Sequence, residues 1–178
     1  MERYVAFLRG MNLGRRRIKN EELRAEFEAL GFAGVATFRA SGNVIFAADA
    51  KGESALARTI EAGLGDALGY EVPVFLRSSA EVAAIAAREP FDPKLVEASK
   101  GKLQVSLLAK KPSAAARGKV LALASDEDLL AVSGREVFWL PSGGLLESGL
   151  DLKAIEAAVG SDTRRTMGTI EQIAAKYT

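Results

Sequence analysis

Between positions 9 and 19 the chain reads Arg9-Gly10-Met11-Asn12-Leu13-Gly14-Arg15-Arg16-Arg17-Ile18-Lys19. Guanidinium groups pair bidentately with phosphate or carboxylate, and glycines let backbone N–H groups turn toward an anion. Over residues 1–19 six cations stand against Glu2 alone, an excess of five on a chain whose total is +1. The spacing is G-x-x-x-G-R with no Lys-Ser/Thr pair behind it, so this is not a nucleotide-hydrolase phosphate loop. Two readings stay open: an anion site, or turn glycines flanked by solvated arginines.

A second polar group is Arg39, Ser41 and Asn43 around Gly42. Gly and Asn suit a hairpin turn, because Gly supplies positive φ and the Asn side chain can cap the turn itself. If the strand at 3–8 is central and pairs with the one starting at Asn43, then Asn12, Arg39, Ser41 and Asn43 gather at one end of the sheet, beside the basic loop. A third group, Thr163-Arg164-Arg165-Thr166, precedes the last helical segment. Arginines at a helix start face the unfavourable end of its dipole and call for an anion, either a ligand or Asp162. Asp126-Glu127-Asp128 reads as a solvated cap, since no spaced set of carboxylates accompanies it. The expected ligand-binding set is thus Arg9, Gly10, Asn12, Gly14, Arg15, Arg39, Ser41 and Asn43, with Arg165 as a possible addition.

Other chemistries are closed by composition. There is no Cys and no His. That removes disulfides, thiolate nucleophiles, Cys/His zinc sites and the Ser-His-Asp route to acyl transfer. No paired-carboxylate or Ser-x-x-Lys arrangement replaces them, so catalytic residues stay unassigned. No metal site and no cofactor is expected. With 24 Lys and Arg against 23 Asp and Glu, a general nucleic-acid coat is disfavoured.

The elements that must position these residues show in the hydrophobic period. Residues 3–8 are a strand, and the following loop leads to a helix over 20–30 with Leu23, Phe27 and Leu30 on one side, Asn20 as N-cap and Gly31 as stop. Strands at 35–39 and 43–47 flank Ala40-Ser41-Gly42, a helix over 53–68 carries Leu56, Ile60, Leu64 and Leu68, and Pro73 sends the strand at 71–77 to a sheet edge. This β-α-β-β-α-β order is the ferredoxin-like, split βαβ signature. After a short helix at 79–88 and a connector rich in Pro, the order restarts: strand 103–109, helix 113–124, strands 127–133 and 136–141 about Gly134, helix 151–159. Gly42 and Gly134 are read as occupying the same place in the two copies. The second copy lacks a clear last strand and passes through 161–168 into an amphipathic helix over 169–177. The fold class is therefore α+β, with two ferredoxin-like (α–β plait) units built on antiparallel sheets. The domains are expected at 1–90 and 91–178.

Several segments together resemble a known family. FLRGMNLG, IKNEELRAEFEALGF and VATFRASGNVIF match a strand ending in LRG(I/M)N(V/L)G, a helix ending in LGF and a T-(Y/F)-x-x-SGN-V-x-F hairpin. EVPVFLR resembles V-P-V-x-x-R, Glu89-Pro90-Phe91 resembles N-P-F, and Thr163 to Ile170 resembles T-x-R-N-W-x-T-V, with Arg165 and Thr169 matching. On these motifs the chain resembles the bacterial domain-of-unknown-function family 1697. The resemblance implies a pair of ferredoxin-like domains and carries no established activity. Ala40 stands where a Gln is usual, and Met167 where the tryptophan is.

Tyr4, Ala6 and Leu8 alternate with Val5 and Phe7, and Val44 and Phe46 with Ile45 and Ala47, so both sheet faces are apolar. The second face is then expected to be covered by the rest of the chain or by a partner, which disfavours an RNA-recognition module with its open aromatic face. The apolar run at 4–8 is too short for a signal-peptide core, and no uncharged stretch suits a membrane span. The best expectation is a cytoplasmic binding protein for a small anionic ligand bearing phosphate or carboxylate. The alternatives are an enzyme working without Cys or His, or a structural or interaction module. No membrane partner is expected, nucleic acid is disfavoured as one, and the oligomeric state is open.

Overall fold

Alternation of Tyr4, Ala6 and Leu8 with Val5 and Phe7 puts both faces of β1 (Glu2–Leu8) into apolar surroundings, and β1 takes a central place in its sheet. In the computed structural model, which describes residues 1–11, 13–40, 42–49 and 52–178, the chain divides into two units. One comprises Met1–Ala83 with Ile173–Thr178, the other Ala84–Gln172.

In the first unit β1 is followed by α1 (Asn20–Ala29), β2 (Ala33–Thr37), β3 (Asn43–Ala48), α2 (Glu53–Leu68), β4 (Val74–Ser78) and the greater part of α3 (Ser79–Ala86). The sheet order is β2-β3-β1-β4 and every pairing is antiparallel. Leu23 and Phe27 of α1 and Leu56, Ile60 and Leu64 of α2 pack with Tyr4, Ala6, Leu8 and Phe46. Each large side chain buried this way adds about 1.5–3 kcal/mol. Gly63 interrupts the α2 stripe for a packing reason. A Cβ there would lie 2.5 Å from Leu30 Cδ2, so the glycine admits the end of α1. The opposite sheet face, with Val5, Phe7, Ile45 and Phe75, is equally buried. β2 begins and ends two residues earlier than expected, β4 starts only after Pro73, and the cap of α1 differs too. Lys19, not Asn20, is the N-cap of α1, because the Glu22 carboxylate accepts the Lys19 backbone N–H at 2.9 Å and supplies the cap from inside the helix.

The second unit contains α4 (Pro93–Ala98), β5 (Gln104–Leu108), α5 (Ala114–Leu121), β6 (Asp128–Ser133), β7 (Glu136–Pro141), α6 (Leu152–Val159), β8 (Asp162–Thr166) and the start of α7 (Met167–Tyr177). Its sheet runs β6-β7-β5-β8, again antiparallel throughout, which repeats the order of the first. The last strand, expected to be missing, is present as β8. Its sequence, DTRRT, carries no apolar alternation. Burial alternates nonetheless, with Thr163 and Arg165 inward, so polar side chains mark the strand and hydrophobicity does not.

Strand registers superimpose the two units residue by residue. Val5 faces Ile45 and Arg77 across its neighbours, and Val105 faces Phe138 and Arg165 in the same way. Asn43, opposite Phe7, therefore corresponds to Glu136, opposite Leu107. Gly42 then corresponds to Arg135, not to Gly134 as expected. The backbone agrees, because Leu8 N–H donates to Gly42 O at 2.8 Å and Leu108 N–H to Arg135 O at 2.9 Å. The first hairpin needs a longer loop, so its glycine falls one place later in the register.

Candidate functional site

β1 pairs with β3 from Glu2↔Ala48 to Phe7↔Asn43, so the exit of β1 and the entry to β3 share one end of the sheet. Gly42 fixes this junction. It has φ +76°, and a Cβ there would stand 2.9 Å from Met11 Cγ and 3.0 Å from Leu8 Cβ. The hairpin tip therefore rests on the first residues of the basic loop. Asn43 is fully buried and its Nδ2 donates to Phe38 O at 2.8 Å, while Phe38 N–H donates to Asn43 O at 3.0 Å. Its amide closes the turn and is thereby committed to structure.

Around this junction stand the cations. Arg39 is exposed with φ +57°, an uncommon left-handed backbone for a non-glycine residue, and its guanidinium lies 5.6 Å from the Phe38 ring centroid. Arg9 is half-buried, and its backbone N–H donates to Pro73 O at 3.0 Å. Gly10 and Gly14 take φ +75° and +57°, the turns for which glycine is required. Arg15, Arg16, Arg17 and Lys19 are exposed, and the Arg16 guanidinium sits 4.5 Å over the Tyr70 ring. The loop thus leans on the segment before β4, where Tyr70, Val72 and Pro73 line a cavity of about 590 Å³ with Glu61 and Glu71. Of the expected residues, Arg9 and Gly10 follow β1 and Arg39 precedes Asn43 at this end of the sheet, while Gly14 and Arg15 belong to the loop that continues from it to α1. Asn12 and Ser41 lie outside the described residues.

Arg165 belongs to the second unit, one residue before the end of β8. It is 8% exposed, and its Nη1 donates to Thr163 Oγ1 and to Arg164 O, both at 2.9 Å. Burial lowers its pKa to about 10, still high enough for full charge at neutral pH. Arg164 lies on the other face, 5.1 Å over the Trp139 ring, its pKa lowered by burial and supported by Asp162. These arginines stand in a strand that runs straight into α7, so they precede the helix start as expected but take strand conformation.

Asp128 also departs from expectation. It is 5% exposed, not solvated, and its Oδ1 accepts the Trp139 indole N–H at 2.8 Å and the Ser148 hydroxyl at 2.7 Å. The signal available in the sequence was the chain's single tryptophan, which needs an acceptor when buried. The sequence reading also missed Arg77. It is 1% exposed, its Nη1 donates to Leu76 O at 2.7 Å, and it occupies the register position of Arg165. Its signal was the terminal Arg of EVPVFLR.

A second cavity, of about 490 Å³, lies wholly in the second unit. Glu89-Pro90-Phe91 and Met167-Gly168, distant in sequence, both border it. Among the described residues no group of three or more acidic side chains is placed to hold a metal ion, and no helix is long and apolar enough to cross a membrane.

Comparisons with known proteins agree with this architecture. The structure is similar to that of conserved bacterial protein SP0830 from Streptococcus pneumoniae, with a TM-score of 0.74 over 98% of this chain and 97% of that one. Sequence identity is 18%, so the likeness is one of fold. No curated protein matches the sequence. The family model described as "Protein of unknown function (DUF1697)" matches residues 1–138, which include the basic loop, the SGN hairpin and the EVPVFLR strand, and the chain belongs to that family.

Proposed function

We propose that the protein binds a small anionic ligand, bearing phosphate or carboxylate, at the basic end of its first unit, and that it does so in the cytoplasm. Arg9, Arg15 and Arg39 are the charged groups of this site, and the backbone N–H groups of Gly10 and Gly14 are its further donors. One observation carries the reading. A hairpin seated on Leu8 and Met11 holds Arg39 in left-handed backbone next to a glycine-turned loop with its own arginines. Strained backbone of this kind costs about 1–3 kcal/mol and gathers at binding sites. Asn43 acts beneath the site by closing the turn.

The test is a thermal-shift panel of nucleotides, sugar phosphates and small carboxylates. A ligand at one hundred times its Kd stabilises the folded state by about 2.7 kcal/mol, which is read as a rise in Tm. At least one anion is expected to raise Tm in the parent protein and not in Arg15→Ala. A panel that leaves Tm unchanged throughout overturns the proposal.

A further inference from the structure

We propose a second, independent site: the cavity of the second unit binds a small organic cation, an ammonium group on an apolar or aromatic body. Its volume of about 490 Å³ suits a small ligand. Pro90, Phe91, Val96, Leu103 and Met167 line it with apolar surface. Leu103 and Met167 are each 6% exposed, so the inner wall belongs to the packed interior.

The charged groups at its rim are unbalanced. Arg88 is already engaged, because its Nη1 reaches Glu136 Oε2 at 2.7 Å and the Ser133 carbonyl at 3.1 Å. Outside that pair, the carboxylates of Glu89, Glu97 and Glu171 are opposed by Lys102 alone. All four are exposed. An anion entering this cavity meets three carboxylates against the single Lys102 ammonium, whereas an ammonium group finds carboxylates in excess while its body covers Phe91 and Met167. Cation–π attraction to Phe91 adds to the same preference.

The walls are also fixed in advance. The Asp92 side chain accepts the Lys94 N–H at 2.9 Å and caps α4. Ser99 Oγ donates to Pro141 O, and a Cβ on Gly101 would lie 2.5 Å from Pro141 Cγ and 2.6 Å from Gly143 O. The loop over 99–102 is thus pressed on Pro141, and Lys102 leaves it with φ +59°. A preformed cavity spends little ordering entropy on binding.

The experiment titrates the full chain with phenethylamine, its neutral analogue phenethyl alcohol, and phenylacetate, followed by amide chemical shifts. The amine is expected to move resonances over 88–103 and 167–171 and to bind about tenfold more tightly than the other two. Glu97→Gln combined with Glu171→Gln, both at exposed positions, is expected to weaken the amine about tenfold and leave the alcohol unchanged. Met167→Trp fills the cavity and is expected to abolish binding of all three; should that variant fail to fold, the glutamine pair decides. Phenylacetate binding as tightly as the amine, indifference to the glutamine pair, or no movement of those resonances overturns the proposal. Anion titration of the first unit is a separate measurement, so either site can fail without the other.

Discussion

Arg39 and Tyr4 show how much one residue can be made to report. The Arg39 backbone sits at φ +57°, where a non-glycine residue costs about 1–3 kcal/mol. Arg39→Gly relieves that strain while deleting the guanidinium. Stability is expected to hold or rise by up to about 1 kcal/mol in a denaturant titration, while anion affinity falls. A fall in both would mean that Arg39 serves the turn alone. Tyr4 is buried and donates its hydroxyl to Glu2 Oε2 at 2.8 Å; burial first, and that carboxylate second, push its phenol up to about 12. The folded protein then keeps a proton that the unfolded chain loses near pH 10, so this contribution is intact below pH 10 and is lost as pH rises toward 12. In Tyr4→Phe the decline of stability between pH 10 and 12 is expected to be shallower, with one phenolate missing from the ultraviolet titration. The sequence shows the type and neighbours of such residues. It does not show that Asn43 spends its amide on Phe38, since that depends on the loop length between two strands.

Elements whose period is carried by apolar residues are legible, and those carried by polar residues are not. Leu56, Ile60 and Leu64 mark α2 at its observed bounds, and Pro73 places β4 at the sheet edge. β8 escapes because Thr163 and Arg165 fill its inward positions, a pattern that hydropathy reads as loop. Asp128 escapes for a related reason, because the charged run Asp126-Glu127-Asp128 reads as surface until β6 turns its third member inward. Trp139 and Ser148 then share the Asp128 Oδ1. Asp128→Ala leaves a buried indole N–H without its acceptor and is expected to cost about 1–3 kcal/mol, where Asp128→Asn keeps an oxygen and costs less. Because Trp139 is the only tryptophan, its fluorescence follows the change directly. Equal losses from the two variants would deny Asp128 its role as acceptor.

At the scale of the whole molecule, two features hidden by averages stand out. The chain's +1 charge conceals an excess of five over residues 1–19, which the fold concentrates at one end of one sheet. The absence of visible identity between the halves conceals a register in which Val5 and Val105, Asn43 and Glu136, Arg77 and Arg165 correspond. Apart from β8, that topology was legible from the order of strands and helices; the paired arginines were not, because correspondence lies in strand pairing and not in spacing along the chain. Of the candidate site, the loop and the hairpin were legible as turn chemistry, and their meeting depended on β1 being central. Charge contacts at such an exposed site are screened over about 8 Å at physiological ionic strength, so binding is expected to weaken with added salt. The most direct measurement is an amide chemical-shift titration with inorganic phosphate at low salt. The expected result is movement confined to residues 9–17 and 38–43, lost in Arg15→Ala and at high salt. Resonances that stay still there, or that move elsewhere and leave this loop and hairpin untouched, contradict an anion site at the basic end of the first sheet.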